Sequence, residues 1–192
     1  MKFVKLFIDT HNWQEFGVGL QANNGEYAYQ IGQDACKEMM VLFDKLLEKS
    51  QKHEISEIVI IKGPGSLTGL RIGSSTTLGI ALGIEMSAKK PVKITALSLY
   101  DILLAEYPNS TIVFYTGTKK WIIKTRESEI ISEDIINTKT PKSWISNCVE
   151  KLSHFDICNN IAYPKMIQLM QKYQHLATED IQLLYPVTMY SV

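Results

Sequence analysis

The apolar positions change period along the chain, and each change predicts an element. Lys2–Asp9 is a near-continuous run of Phe, Val, Leu and Ile, which predicts a buried strand. Phe16–Gln21 and Gly25–Gln30 are short strand-like runs separated by Asn23-Asn24-Gly25. Asn-Gly is the strongest short-range signal of a tight hairpin turn. From Asp34, which is placed to cap a helix, the period lengthens. Cys36, Met39, Met40, Phe43, Leu46 and Leu47 make one wide apolar stripe, with Lys37, Glu38, Asp44, Lys45, Glu48 and Lys49 opposite, so a helix is predicted to about Lys49. The stripe is expected to pack on a sheet. Its methionines also suit a partner surface, because Met adapts to irregular shapes.

Glu57–Ile61 is a second buried strand. Gly63-Pro64-Gly65-Ser66 follows it at once and opens a helix through about Glu85. Pro91–Thr95 predicts a strand, and Ser98–Tyr107 a helix that stops before Pro108. Strands alternating with helices after an opening hairpin indicate an α/β fold, a mixed sheet covered by helices. In the second half, Thr111–Tyr115 and Trp121–Thr125 predict strands joined by Thr116–Lys120. Pro141 opens a helix over Lys142–Leu152, Pro164 another through Tyr173, and the tail from Ile181 to Val192 is expected to be extended. No sequence repeat is evident. The boundary between two lobes is placed near residues 100–110, giving segments 1–105 and 106–192.

Composition narrows the function classes. At 192 residues, with 45% hydrophobic and 21% charged residues, the chain can form one large domain or two small lobes. Lys+Arg and Asp+Glu both number 20. A protein that grips nucleic acid alone usually carries a basic excess, since phosphate neutralisation supplies most of the affinity. Lys119-Lys120-Trp121 combines charge with an aromatic ring but reads as a solvated hairpin tip. Cys36, Cys148 and Cys158 form no C-x-x-C pair and read as thiols in a reducing compartment. Asp9 interrupts the first apolar run, so a strand is expected there and not a leader. No segment has the apolar length of a membrane span. A cytoplasmic location is expected.

The most informative stretch is Gly63-Pro64-Gly65-Ser66-Leu67-Thr68-Gly69-Leu70-Arg71-Ile72-Gly73. It reads as a strand end, a sharp turn and a helix start, with Ser66 placed to cap the helix. A P-loop needs lysine after its last glycine, where Leu70 stands. The dinucleotide fingerprint needs a glycine one position before Gly69. A nucleophile elbow around Ser66 needs glycines where Pro64 and Thr68 stand. The helix itself carries Gly69, Gly73, Gly79 and Gly83, each costing about 1 kcal/mol relative to Ala. Close packing must offset that loss, against a backbone of this chain or of a partner. An anion site at the helix N-terminus is the alternative to a plain cap.

GPGSLTGLRIG resembles the GPGSFTGLRIG signature of the TsaB (YeaZ) family of bacterial tRNA threonylcarbamoyladenosine biosynthesis proteins, with Leu67 for Phe. Phe7-Ile8-Asp9-Thr10 is similar to that family's opening strand, and Tyr185-Pro186-Val187-Thr188-Met189-Tyr190 to its Pro-Val-Tyr ending with one residue inserted. The resemblance is carried by about residues 1–105. It implies a two-lobed actin/Hsp70-like (ASKHA) fold, with a mixed sheet and helices in each lobe and a reduced second lobe. It also implies a non-catalytic scaffold subunit, required for threonylcarbamoylation of the adenosine next to the tRNA anticodon. Such a subunit pairs with the catalytic paralogue TsaD, is joined by the ATPase TsaE, and meets tRNA only through the complex. The Thr116–Lys120 loop lacks the family's Asp-Ala-Arg, and Gln33 stands near a common histidine.

Several residues are candidates for particular roles. The resemblance and the helical stripe together assign the partner interface to Met39, Met40, Phe43, Ser66, Leu67, Thr68, Gly69, Leu70, Arg71 and Gly73. Arg71 pairs with an acid either of the partner or of this chain. Asp9 and Thr10 end the first strand, where ATPases of the ASKHA fold place a phosphate-facing acid. They are either a vestigial nucleotide site or, for Asp9, the cap of the turn into Asn12. The catalytic paralogue holds metal through His-x-x-x-His; here His11, His53, His154 and His175 offer no such pair, so no metal site is expected. No cofactor is expected, with ATP at the partner interface as the exception to test. A small ATP-binding protein or ATPase of the same fold is the alternative function, and a homodimer the alternative assembly.

Overall fold

The computed structural model describes residues 3–12, 15–49, 54–115, 121–132, 144–146, 158–159 and 163–182. The chain opens with β1 (Phe3–Asp9), β2 (Phe16–Ala22) and β3 (Tyr27–Gly32). It continues through α1 (Ala35–Lys49), β4 (Glu54–Gly63), α2 (Leu67–Ala88), β5 (Lys93–Ser98) and α3 (Leu99–Glu106). β1 pairs antiparallel with β2 and parallel with β4, and the five strands are ordered β3-β2-β1-β4-β5. The β2–β3 turn closes through Gly25 at φ 86°, a left-handed conformation that glycine adopts without strain.

Strand alternation divides the core in two. Val4, Leu6, Ile8, Phe16, Val18, Leu20, Ile58 and Ile60 pack with Met39, Phe43 and Leu46 of α1 and Ile80 and Ala81 of α2. Phe7, Val59, Ile61 and Leu97 belong to a second cluster with α3 and with a later helix, α4 (Tyr163–Lys172). α1 and α2 therefore lie side by side on one face of the sheet. Both run from its Asp9 end towards the start of β4 and β5.

The second sheet is built from β6 (Thr111–Tyr115), β7 (Trp121–Lys124), β8 (Glu129–Ser132), β9 (Trp144–Ser146) and β10 (Cys158–Asn159). Its order is β10-β9-β6-β7-β8, with β7 antiparallel to β6, β8 antiparallel to β7, β9 parallel to β6 and β10 parallel to β9. Read outwards from its first strand, this is the topology of the first sheet: two antiparallel neighbours on one side and two parallel neighbours on the other. The lobes repeat a topology that the sequence does not repeat. Trp144–Ser146 corrects the helix expected over 142–152. These residues pair with Thr111, Ile112 and Val113, giving β6 its parallel neighbour. The rest of that predicted helix, the Thr116–Lys120 loop and the Tyr185–Tyr190 ending lie outside the described residues.

After the second sheet the chain returns to the first. α4 packs over β2 because Gly17 and Gly19 leave room for it. A Cβ on Gly17 would stand 2.6 Å from Ile167 Cδ1, and one on Gly19 would stand 2.5 Å from Tyr27 Oη and 3.1 Å from Ile167 Cγ2. Tyr27 Oη donates to Ile167 O at 3.2 Å. Burial holds the Tyr27 phenol well above its ordinary pKa, with Tyr29 and Asp9 adding to the effect, so it remains a neutral donor. α4 is also tied to α3: Glu106 accepts from Lys172 Nζ at 2.6 Å and from Tyr173 Oη at 2.8 Å.

Candidate functional site

The glycine-rich segment folds as the sequence predicts at its cap. Ser66 has extended backbone geometry, and its Oγ accepts from Gly69 N at 3.3 Å, satisfying one of the amides left free at a helix start. The end of β1 then lies directly on the loop. Ser66 N donates to His11 O at 2.6 Å. A Cβ on Gly65 would stand 2.4 Å from His11 O, one on Gly69 2.1 Å from Thr10 O, and one on Gly73 2.2 Å from Thr10 Oγ1.

These contacts correct the expectation that Gly69 and Gly73 meet a partner. The atoms that approach them belong to this chain, the Thr10 main chain at Gly69 and the Thr10 side chain at Gly73. Thr10, assigned with Asp9 to a vestigial nucleotide site, packs on Gly73 and is almost fully buried. Asp9 is fully buried; its Oδ1 accepts from His11 N at 3.0 Å and lies 2.7 Å from His11 Nδ1. That is the turn-capping role. Asp9 Oδ2 has no hydrogen-bond partner among the described residues.

The other interface candidates divide by burial. Met39 is 2% exposed and Phe43 6%, both inside the α1–α2 core, and Leu70 is 1% exposed in the opposite core cluster. This corrects their assignment to a partner surface: Met39 and Phe43 are the part of the α1 stripe that faces the sheet, and Leu70 of α2 is taken up by the other core cluster. Met40, Thr68 and Arg71 are exposed, while Ser66 and Leu67 are partly covered.

An apolar face does remain, and it lies further along α2. Leu78, Leu82 and Met86 follow one another at four-residue spacing; Leu82 is 58% exposed and Met86 74%. Met40 and Val41 of the neighbouring α1 are also exposed. A Cβ on Gly79 or Gly83 would meet nothing within 4 Å, so nothing among the described residues requires glycine there. Single exposed apolar residues are ordinary, but a row of them beside two open glycines is informative. The signal was present in the sequence as a helix apolar on all sides, since Ile72, Ile80 and Ile84 already supply the core.

Among the described residues no three His, Cys, Asp or Glu side chains stand together as a metal-binding group, and no helix is long and apolar enough to cross a membrane.

The family described as "TsaD: tRNA N6-adenosine threonylcarbamoyltransferase" matches residues 33–190. No curated protein sequence matches the chain. Among solved structures, YeaZ from Pseudomonas aeruginosa is similar with a TM-score of 0.65 at 14% identity, covering 95% of this chain and 99% of that one. A second is described as an uncharacterized protein with similarity to peptidase YeaZ from Pseudomonas aeruginosa. It gives a TM-score of 0.60 at 15% identity, covering 97% of this chain and 98% of that one. The likeness spans both lobes and places the molecule in the two-lobed actin/Hsp70-like (ASKHA) fold.

Proposed function

Because the chain belongs to the TsaD family of tRNA N6-adenosine threonylcarbamoyltransferases, we propose that it serves tRNA threonylcarbamoylation in the cytoplasm as a partner subunit, not as the catalyst. In this reading it pairs with a catalytic TsaD chain through the outer face of α1 and α2. A TsaE-like ATPase joins the pair, and tRNA is met only through the assembly. The observation that carries the reading is the row Leu78, Leu82 and Met86, flanked by open Gly79 and Gly83, with Met40 and Val41 exposed on the neighbouring α1. Leucine and methionine exposed at helical spacing are the anchors of helix-on-helix recognition. Glycines that the chain does not itself use allow a second backbone to come close.

The space at the start of α2 supports the non-catalytic part. In a phosphate-binding loop, glycines keep room for the ligand. Here Thr10 and His11 fill the room beside Gly65, Gly69 and Gly73. With TsaD and TsaE supplied, the modified adenosine should form when this chain is present and not when it is left out. Modification by TsaD and TsaE alone would overturn the proposal.

One observation favours the alternative of a nucleotide-binding protein, namely that Asp9 Oδ2 has no hydrogen-bond partner among the described residues. That reading expects micromolar ATP binding by the isolated chain, weakened in Asp9→Ala. Calorimetry showing no heat with ATP removes it.

A further inference from the structure

The first sheet has two edges, and β5 is one of them. Among the described residues, the outer main chain of β5 is paired at one position only. Ala96 N donates to Thr178 O at 2.8 Å, and Thr178 N donates to Ala96 O at 3.0 Å, an isolated antiparallel bridge. Thr178 lies just beyond the 3-10 turn Gln174–Leu176 that comes after α4, and Thr178–Gln182 is exposed throughout. The acids of this strap meet two lysines. Lys93 Nζ lies 3.2 Å from Glu179 Oε1. Lys62 Nζ lies 3.4 Å from Asp180 Oδ2 and donates to Asp180 O at 3.2 Å. Lys62 is only 12% exposed, beside the irregularity where β4 shifts register against β5. The edge therefore offers main-chain donors and acceptors between two cations.

Among the described residues, two main-chain bonds, two ion pairs to exposed acids, and Lys62 Nζ donations to Asp180 O and, at 3.5 Å, to Thr178 Oγ1 make a weak hold. Such pairs contribute little in water, and segments with few buried contacts open without the rest of the fold. An open strand edge is a template for another strand. In recognition by strand addition, main-chain bonds supply affinity and side-chain contacts choose the partner. We infer that β5 is a strand-addition edge for an extended acidic segment of a partner protein, and that Thr178–Asp180 is the chain's own displaceable occupant. Lys62 and Lys93 set the preference for acids. The inference lies apart from the α1–α2 face and does not depend on the pairing proposed above.

Hydrogen exchange on the full wild-type chain tests the first half without any substitution. The Ala96 amide points to the strap, while by strand alternation the Leu97 amide points to β4. Ala96 should exchange about 100-fold or more faster than Leu97, through strap opening alone. An excess of the peptide Ala-Thr-Glu-Asp-Ile-Gln should then slow Ala96 exchange. In the full chain carrying E179K and D180K, the strap no longer competes. The same labelled peptide should bind about tenfold tighter there than to wild type, because an occupied site lowers apparent affinity by its open fraction. A peptide with both acids replaced by lysine should not bind. Ala96 exchanging no faster than Leu97 would make the strap part of the cooperative core and overturn the inference. Failure of the acidic peptide to bind the double variant, or to slow wild-type Ala96 exchange should the variant not fold, would overturn it equally.

Discussion

The four glycines of α2 fall into two pairs with opposite surroundings, and this sets opposite outcomes for the same substitution. Gly69 and Gly73 face Thr10, so a methyl group at either position meets atoms at 2.1–2.2 Å. Gly69→Ala should destabilise the chain by about 1–3 kcal/mol or more, since the obstacle is a backbone carbonyl that cannot rotate away. Gly79 and Gly83 face open space. Gly79→Ala should stabilise the isolated chain by about 1 kcal/mol, through helix propensity, while weakening pairing if a partner backbone lies there. Chemical denaturation of the two single variants checks the pair of signs; destabilisation by Gly79→Ala would show that the position is covered. The spacing of the glycines was plain in the sequence. Which of them turned inwards was not, because that depends on where the end of β1 lies.

At the scale of elements, cap and period made most of the first lobe legible. Asp34 and Ser66 stand where their helices begin, and the strands fall within a few residues of their expected limits. The second lobe was less so, because β8, β9 and β10 have four, three and two residues and too little sequence to show a period. The α3–α4 tie was also beyond sequence reasoning, since Glu106 and Lys172 are far apart in the chain. Hydrogen bonds from Lys172, then Tyr173, hold the Glu106 carboxyl below its ordinary pKa of 4.5. A carboxylate with a depressed folded pKa contributes stability that is present above the unfolded value and is lost as pH falls through the folded one. Glu106→Ala should therefore lower the thermal midpoint modestly at neutral pH, as expected for a partly exposed tie. The difference from wild type should shrink as pH falls below 4.5. Midpoints measured across that range check it; a difference independent of pH would assign the loss to packing.

For the whole molecule, two lobes of like topology share the core that holds Phe7 and Val59 with Ile112 and Phe114. That duplication is a matter of strand order and was invisible in a sequence without repeats. The return of α4 to the first sheet was equally hidden, although Gly17 and Gly19 marked a face of β2 left clear for something to approach. What this architecture leaves outside is the Leu78–Leu82–Met86 row. In the proposed assembly a TsaD chain covers it. A central buried leucine of such an interface is worth about 2 kcal/mol or more, or roughly 30-fold in affinity. The most direct measurement is calorimetric titration of TsaD with wild type and with Leu82→Glu, each shown by circular dichroism to be folded. Wild type should bind, and the variant should lose about 30-fold or more in affinity. Equal affinity of the two chains for TsaD would contradict it.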